Sequence, residues 1–182
     1  MENQPEVLDS NLNELESDVE KQYLISLPKF IILSLVSFGT YPVWWSYKAW
    51  RFFQQKDKLD IMPAVRTIFS IFFLYELFTR ILHYAHEKNN TKRYSPGGLF
   101  AGYIIGNICS RLPDPLWLIS LISFVFFIPV FNALNFAKRN STEFSVVEQD
   151  NFNQRQIILL VIGVIFWGLV ILGLSVGEDG NF

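Results

Sequence analysis

The sequence has little sulfur and little charge, and both shortages exclude classes of protein. A single cysteine, Cys109, excludes a disulfide framework and a zinc site built from several thiolates. Charged residues make up 18% of the 182 residues, against about 25% in soluble domains. Hydrophobic residues make up 51%, and eighteen phenylalanines contribute to an aromatic share of 16%. This composition predicts a protein in contact with lipid.

The charge that remains is unevenly placed along the chain. Seven of the seventeen acidic residues lie within residues 1–20, which contain no Lys or Arg. The rest of the chain holds fifteen bases against ten acids, so the net charge of −2 describes neither part. A basic body favours an anionic membrane surface over nucleic acid as its partner. Residues 1–26 are too polar to bury much apolar surface, and we expect a disordered acidic tail there.

The last charge-free stretch predicts a transmembrane helix over 156–177. The twenty-one residues from Ile157 to Gly177 carry no charge and would reach about 31 Å as a helix, close to the roughly 30 Å of a hydrocarbon core. A soluble helix with no polar face must be buried on all sides, and this chain is too small for that. We expect residues 178–182 to form a short polar tail.

Two further apolar stretches predict a helical hairpin. Residues 115–137 carry no charge, and we expect a kink at Pro129. Residues 96–112 are shorter and would span where the bilayer thins locally. Two prolines between the two stretches interrupt any helix, so the stretches should meet at a tight turn.

The first helix of this hairpin carries a small residue at every fourth position. Small side chains at that spacing let two helix backbones approach closely, so we expect a packing face. Its partner would be another part of the chain, a second copy or another membrane protein. The face consists of Gly98, Gly102, Gly106 and Ser110.

The first apolar segment, over 28–55, is interrupted at Gly39–Pro42. Glycine terminates helices and proline can begin a new one, so we favour a broken or re-entrant element over a kinked transmembrane helix. Residues 28–38 alone would reach about 16 Å, half a membrane. The second half is dense in aromatic residues that favour the headgroup level. The candidate residues of this element are Gly39, Tyr41, Pro42, Trp44 and Trp45.

A long helix with a charged stripe is predicted over 63–87. The stripe includes Arg66, Glu76 and Arg80, with Phe and Leu around it. Such a helix either lies in the interface or spans with its stripe against protein. Because Glu76 precedes Arg80 by four residues, the favourable order, we interpret them as a self-neutralised structural pair.

The basic residues predict an orientation. Both loops that flank the 96–137 hairpin are basic, whereas its turn holds only Arg111, which Asp114 partly offsets. Because basic loops stay on the cytoplasmic side, we expect the hairpin turn and the C-terminus outside and both flanking loops inside.

One aromatic block carries a family resemblance. It reads Phe38-Gly39-Thr40-Tyr41-Pro42-Val43-Trp44-Trp45-Ser46-Tyr47-Lys48-Ala49-Trp50 and resembles the defining block of a family of uncharacterised bacterial integral membrane proteins, a domain of unknown function. Pro63-Ala64-Val65-Arg66-Thr67-Ile68-Phe69 and Arg111-Leu112-Pro113-Asp114-Pro115 look like further landmarks, so the resemblance covers most of residues 28–176. It implies a protein of the bacterial inner membrane and no particular activity.

Signatures of enzymatic chemistry are scarce. The sequence has no phosphate-cradling glycine loop and no Gly-x-Ser-x-Gly elbow. Its one metal-like cluster is His83-x-x-His86 followed by Glu87, and two histidines near a helix C-terminus are a simpler interpretation than a metal site. We therefore predict no catalytic residues, no cofactor and no metal.

These patterns together predict an all-α, polytopic membrane protein. It would have three transmembrane helices, a broken or re-entrant N-terminal element and a long amphipathic or spanning helix within a single domain over 27–177. Its expected role is a non-enzymatic structural, assembly or envelope factor, with the lipid bilayer as partner. A small transporter or channel subunit is the alternative, since broken helices mark substrate sites in transporters. A lipid-modifying membrane enzyme that uses Glu76, His83 or Asp114 has less support.

Overall fold

The structure, a computed structural model, describes residues 19–178. Within this range the chain is mostly helical, which confirms the all-α expectation. The α-helices are α1 (Leu27–Val36), α2 (Tyr41–Lys56), α3 (Pro63–Ile68), α4 (Ser70–Glu87), α5 (Pro96–Ile108), α6 (Ile128–Arg139) and α7 (Gln154–Glu178). Two 3-10 helices cover Cys109–Arg111 and Leu116–Phe127, and two short strands are β1 (Gln22–Leu24) and β2 (Val146–Glu148).

Two helical stretches are long and apolar enough to cross a membrane, Leu116–Arg139 and Gln154–Ser175. The third predicted span, over 96–112, contains the thirteen-residue helix α5. At 1.5 Å per residue α5 is about 20 Å long, short of a hydrocarbon core, and a 3-10 turn ends it.

The predicted tail over 1–26 has to be shortened at its C-terminal end. Strand β1 pairs in parallel with β2, Tyr23 opposite Val147, and the residues that follow it, Leu24 and Ile25, are buried. Burial of these apolar side chains offsets the entropy cost of ordering this segment, which the acidic residues before it cannot do. The rest of that prediction, residues 1–18, lies outside the described residues, as do residues 179–182 of the short C-terminal tail.

The chain reverses direction between α1 and α2. Phe38 and Gly39 both have positive φ, 53° and 77°, and the N–H of Gly39 donates to the carbonyl of Ser34 at 2.8 Å. This left-handed end is a geometry that glycine adopts at little cost. Pro42 then lies in the first turn of α2, where its missing N–H is not needed.

Helix α1 packs along α7 as far as a turn near the middle of α7, and α2 leads back toward the start of α7. At the turn, the ring of Phe38 stacks on Trp167 with centroids 5.0 Å apart, and the indole N–H of Trp167 donates to the carbonyl of Leu35 at 3.2 Å. The side chain of Tyr41, just after the turn, reaches back to Gln156: the amide nitrogen of Gln156 lies 3.5 Å from the hydroxyl of Tyr41. Gln156 and Trp167 are about 16 Å apart along α7, so the α1–α2 hairpin accompanies only part of α7.

The predicted helix over 63–87 is two helices, because the chain bends at Phe69. The backbone there leaves helical geometry, at φ −92° and ψ 38°. Arg66 and Glu76 would be about 15 Å apart along one straight helix. Their side chains meet at 2.6 Å, so α3 folds back toward α4.

The predicted hairpin over 96–137 is present, with a different second arm. Residues Leu116–Phe127 form a 3-10 helix, and α6 begins at Ile128 with Pro129 in its first turn instead of at a kink. Proline is tolerated there because first-turn N–H groups have no partner within the helix. The small-residue face of α5 packs on this arm: a Cβ on Gly102 would overlap the ring of Phe126.

Aromatic side chains fill the core between α1, α2, α4 and the helical hairpin over residues 96–139. Phe30 stacks on Phe131 at 4.4 Å and meets Trp45 edge-on at 6.0 Å, while Phe78 meets Phe127 edge-on at 5.2 Å. Such offset and edge-on pairs stabilise a core beyond the area that they bury. Trp45 was expected at the headgroup level with the rest of its block, and it lies instead in this core, 7% exposed.

Candidate functional site

The charged stripe of the sequence forms a chain of ion pairs on α4. Glu76 accepts from Arg66 at 2.6 Å and from Arg80 at 3.4 Å. Arg80 continues to Asp57 at 3.3 Å, and Asp57 to Lys56 at 3.0 Å. The pair of Glu76 and Arg80 expected from the four-residue spacing is present, but Glu76 has a second and nearer partner. The bend at Phe69 brings Arg66 to it.

Arg66 is enclosed by aromatic rings. Its guanidinium lies 4.5 Å from the ring centroid of Trp50 and 5.0 Å from that of Phe73. A cation over aromatic faces is attracted by the ring quadrupole, and more strongly where water is excluded. Glu76 thus holds an arginine in an apolar setting, whereas Arg80 at the other end reaches a more polar surface.

A cavity opens beside this ion-pair chain. Its volume is about 410 Å³, within the roughly 300–1,000 Å³ of small-molecule sites. Glu76, Arg80 and Asp57 line it together with His83 and Glu87. The mixed charges suit a small polar or zwitterionic molecule better than a lipid chain.

Tyr84 closes one side of the cavity and stays protonated at neutral pH. Burial raises the pKa of Tyr84 to about 12, and the nearby carboxylate of Glu143 adds to the rise. A phenol of that pKa is poorly matched to general acid or base work near pH 7.

Comparisons with family models, with curated proteins and with solved structures find no match. The cavity and the surfaces around it must therefore be interpreted from their own geometry.

The remaining predicted residues are dispersed over the molecule. Arg111 and Asp114 lie exposed in the hairpin turn, away from the cavity. His83 faces the cavity, and no group of three or more His, Cys, Asp or Glu side chains within residues 19–178 is placed to hold a metal. Gly106 faces Ser123, as Gly102 faces Phe126, so the centre of the small-residue face is covered within the chain.

Sequence reasoning missed a second polar feature at the start of α7. Lys48, Lys138 and Arg155 border one continuous groove together with Trp44 and Tyr47. These three residues lie far apart in the sequence, so no local pattern predicts that they meet. The only local indication is that Trp44 and Lys48, four residues apart, share the exposed face of α2.

Proposed function

We propose that this chain is an integral membrane protein with a non-enzymatic structural role, in which α7 and Leu116–Arg139 cross the bilayer. The observation that carries the proposal is the exposure of α7. Only 6% of its most apolar eighteen-residue window is buried against the rest of the chain. Soluble monomers rarely expose apolar patches beyond a few hundred Å².

Apolar exposure on other elements supports the same proposal. Ile105 on α5 is 63% exposed, and Ile122 on the 3-10 helix Leu116–Phe127 is 57% exposed. Next to the bend at Phe69, Ile68 and Phe72 are about three-quarters exposed. Lipid chains would cover these surfaces as they cover α7. Apolar exposure is therefore not confined to one helix, as expected if several elements contact the bilayer.

In this proposal the α1–α2 hairpin enters the bilayer and leaves on the same side. Helix α1 has ten residues, about 15 Å, half of a hydrocarbon core. Lys29 near its start bonds to the carbonyls of Gln149 and Asp150 just before α7, while Phe38 reaches Trp167. A buried hydroxyl helps to satisfy the backbone of the turn, since Ser37 Oγ accepts from the N–H of Tyr41 at 2.9 Å.

The orientation follows from the distribution of charge. If both spans cross, Arg139 and Arg155 lie on one side of the bilayer and the hairpin turn at Asp114 lies on the other. Because Lys88 pairs with Glu143 on the first side, α5 and the 3-10 turn after it, about 25 Å together, also cross in this proposal, where the bilayer thins locally. The rule that basic loops stay inside places the first side in the cytoplasm and the C-terminus outside.

A structural role is supported by how loosely α7 is covered. One face packs on α1, where Gly163 lies directly against Val36. A Cβ on Gly168 or Gly173 would meet no atom within 4 Å. These two glycines lie about 140° apart around the helix axis, so α7 is open on more than one side, and a neighbouring transmembrane helix of another subunit can contact it there.

Alkaline carbonate extraction tests the proposal. Full-length protein should stay in the membrane pellet, as expected for spanning helices. A variant with Ile162→Lys and Ile165→Lys places two cations at exposed positions in the middle of α7. It should accumulate at a much lower level, because α7 then inserts poorly, while Leu116–Arg139 still holds the remaining protein in the pellet. Release of the wild-type chain into the supernatant would refute the proposal.

A small transporter or channel subunit is the second candidate, favoured by the cavity beside Glu76 and Arg80. In proteoliposomes, a variant with Glu76→Gln and Arg80→Gln distinguishes the two. Solute or ion flux that the wild type supports and the folded variant lacks would favour transport. Equal absence of flux in both, with lower stability of the variant, would favour the structural role.

A further inference from the structure

The exposed face of α2 changes from apolar to basic along its length. Thr40, Trp44 and Lys48 follow one another at four-residue intervals and therefore lie on one side of the helix, spread over about 12 Å. Trp44 is 45% exposed and stacks on Tyr47 with ring centroids 5.2 Å apart. This aromatic pair separates an apolar groove from the basic groove.

The apolar groove lies between α2 and α3. Val43, Ala64 and Ile68 line it, with Thr40 and Trp44 at its edge. Its volume is about 620 Å³, and its walls are almost entirely apolar. A groove of this chemistry suits a hydrocarbon chain, and its exposed side faces the region that the proposed function assigns to lipid.

The basic groove begins on the other side of Trp44. Lys48 and Arg155 reach into it from α2 and from the first turn of α7, and Lys138 closes its floor. Lys138 is 7% exposed; its ammonium donates to Gln22 at 2.9 Å and lies 4.2 Å from the ring centroid of Phe52. Within residues 19–178, none of these three cations forms an ion pair with a carboxylate.

Unpaired positive charge is an electrostatic cost that an anion would relieve. Partial desolvation by the surrounding side chains, and then the charge of Arg155, lower the pKa of Lys48, although its side chain still reaches solvent. Arg51, at the same groove, differs because Glu20 already neutralises it. The cations that remain available therefore lie together, next to Trp44.

We propose that these two grooves bind one anionic glycerophospholipid, with its phosphate against Lys48 and Arg155 and an acyl chain along Val43, Ala64 and Ile68. The phosphate level of a bilayer lies beside the hydrocarbon edge, and Ile157, only two residues after Arg155, is already exposed and apolar. Aromatic residues such as Trp44 favour that same level. This inference rests on the proposed function, since it needs α7 in the bilayer.

Binding of defined lipids to the purified full-length protein tests the site. Native mass spectrometry in detergent would compare dioleoylphosphatidylglycerol with dioleoylphosphatidylcholine, which has the same chains and no net charge. We expect the wild type to bind the anionic lipid at least tenfold more tightly. Lys48→Gln should lower that affinity about tenfold, as the loss of one charged contact implies, and Lys92→Gln, an exposed cation outside the grooves, should not.

The apolar half has its own matched pair of variants. Ala64→Trp fills the apolar groove and should weaken binding of the anionic lipid, whereas Val65→Trp, one residue along and outside the groove, should leave it unchanged. Equal affinity for the two lipids, or equal effects of the two tryptophans, would overturn the proposal. Displacement of the lipid by excess inorganic phosphate would also overturn it, because the site would then recognise free phosphate.

The outcome separates the two proposals. Protein that resists carbonate extraction but shows no preference for the anionic lipid retains its proposed membrane role and lacks the lipid site. Protein that carbonate releases has lost the proposed function itself.

Discussion

Replacing Gly106 by leucine should separate the two arms of the 96–139 hairpin. A Cβ at this position would lie 2.8 Å from the Cβ of Ser123, well inside the 3.5–4.0 Å of ordinary carbon contacts. Ser123 is buried, and its Cβ cannot move without its backbone. The 3-10 arm must therefore shift as a unit, and a leucine adds three further carbons to the clash.

The size of the effect is best measured against Gly168→Leu. Both glycines lie within helices, so both variants gain about the same helix propensity, somewhat under 1 kcal/mol. At Gly168 the new side chain meets open space, whereas overpacking at Gly106 costs about 1–3 kcal/mol or more. We expect Gly106→Leu to unfold about 2–12 °C below Gly168→Leu, on the basis of roughly 2–4 °C per kcal/mol for a chain of this size.

Thermal unfolding in a mild detergent, followed by circular dichroism, provides the comparison. A second experiment identifies the contact itself: Ser123→Gly removes the opposing Cβ, so it should restore stability to Gly106→Ala. Equal midpoints for the two leucine variants would show that the arms are not in close contact. Lack of rescue by Ser123→Gly would place the cost of Gly106→Ala elsewhere.

Three further predictions concern other parts of the molecule. Glu76→Gln should lower the free energy of unfolding by about 1–2 kcal/mol in chemical denaturation, because it leaves Arg66 unpaired while partial exposure limits the loss; a change below 0.5 kcal/mol would contradict this. Trp50→Ala should cost about 3–5 kcal/mol in the same assay and Trp44→Ala far less, since the first is 1% exposed and the second 45%. In intact cells, a membrane-impermeant maleimide should label Cys109, near the hairpin turn, and labelling only after lysis would reverse the proposed orientation.

Features with a local cause could be predicted from the sequence. The length and apolarity of α7 follow from an uninterrupted run of residues, and the reversal at Gly39–Pro42 from two residues with strong backbone preferences. The spacing of small residues on α5 predicts a face on which another helix can approach closely, and Gly102 and Gly106 form such contacts. Each of these causes lies within one helix or turn.

Features that depend on distant partners could not be predicted. The bend at Phe69 has no proline or glycine to signal it, and Arg66 is drawn toward Trp50 and Glu76 from different elements. Aromatic composition could not separate the buried Trp45 from the exposed Trp44, because both suit a membrane interface equally well. The basic groove brings together side chains separated by about a hundred residues, for which one sequence contains no signal.

The parallel pairing of β1 with β2 has a consequence for biosynthesis. It joins residues 22–24 to residues 146–148, and the turn after α1 rests on Trp167, so these contacts do not exist until most of the chain has left the ribosome. Helix α1 emerges early yet is too short to cross a bilayer alone. Its final position along α7 is therefore set after translation of α7. A chain truncated before residue 146 should keep the contacts of Phe30 with Trp45 and Phe131 and lose those of β1 and Phe38.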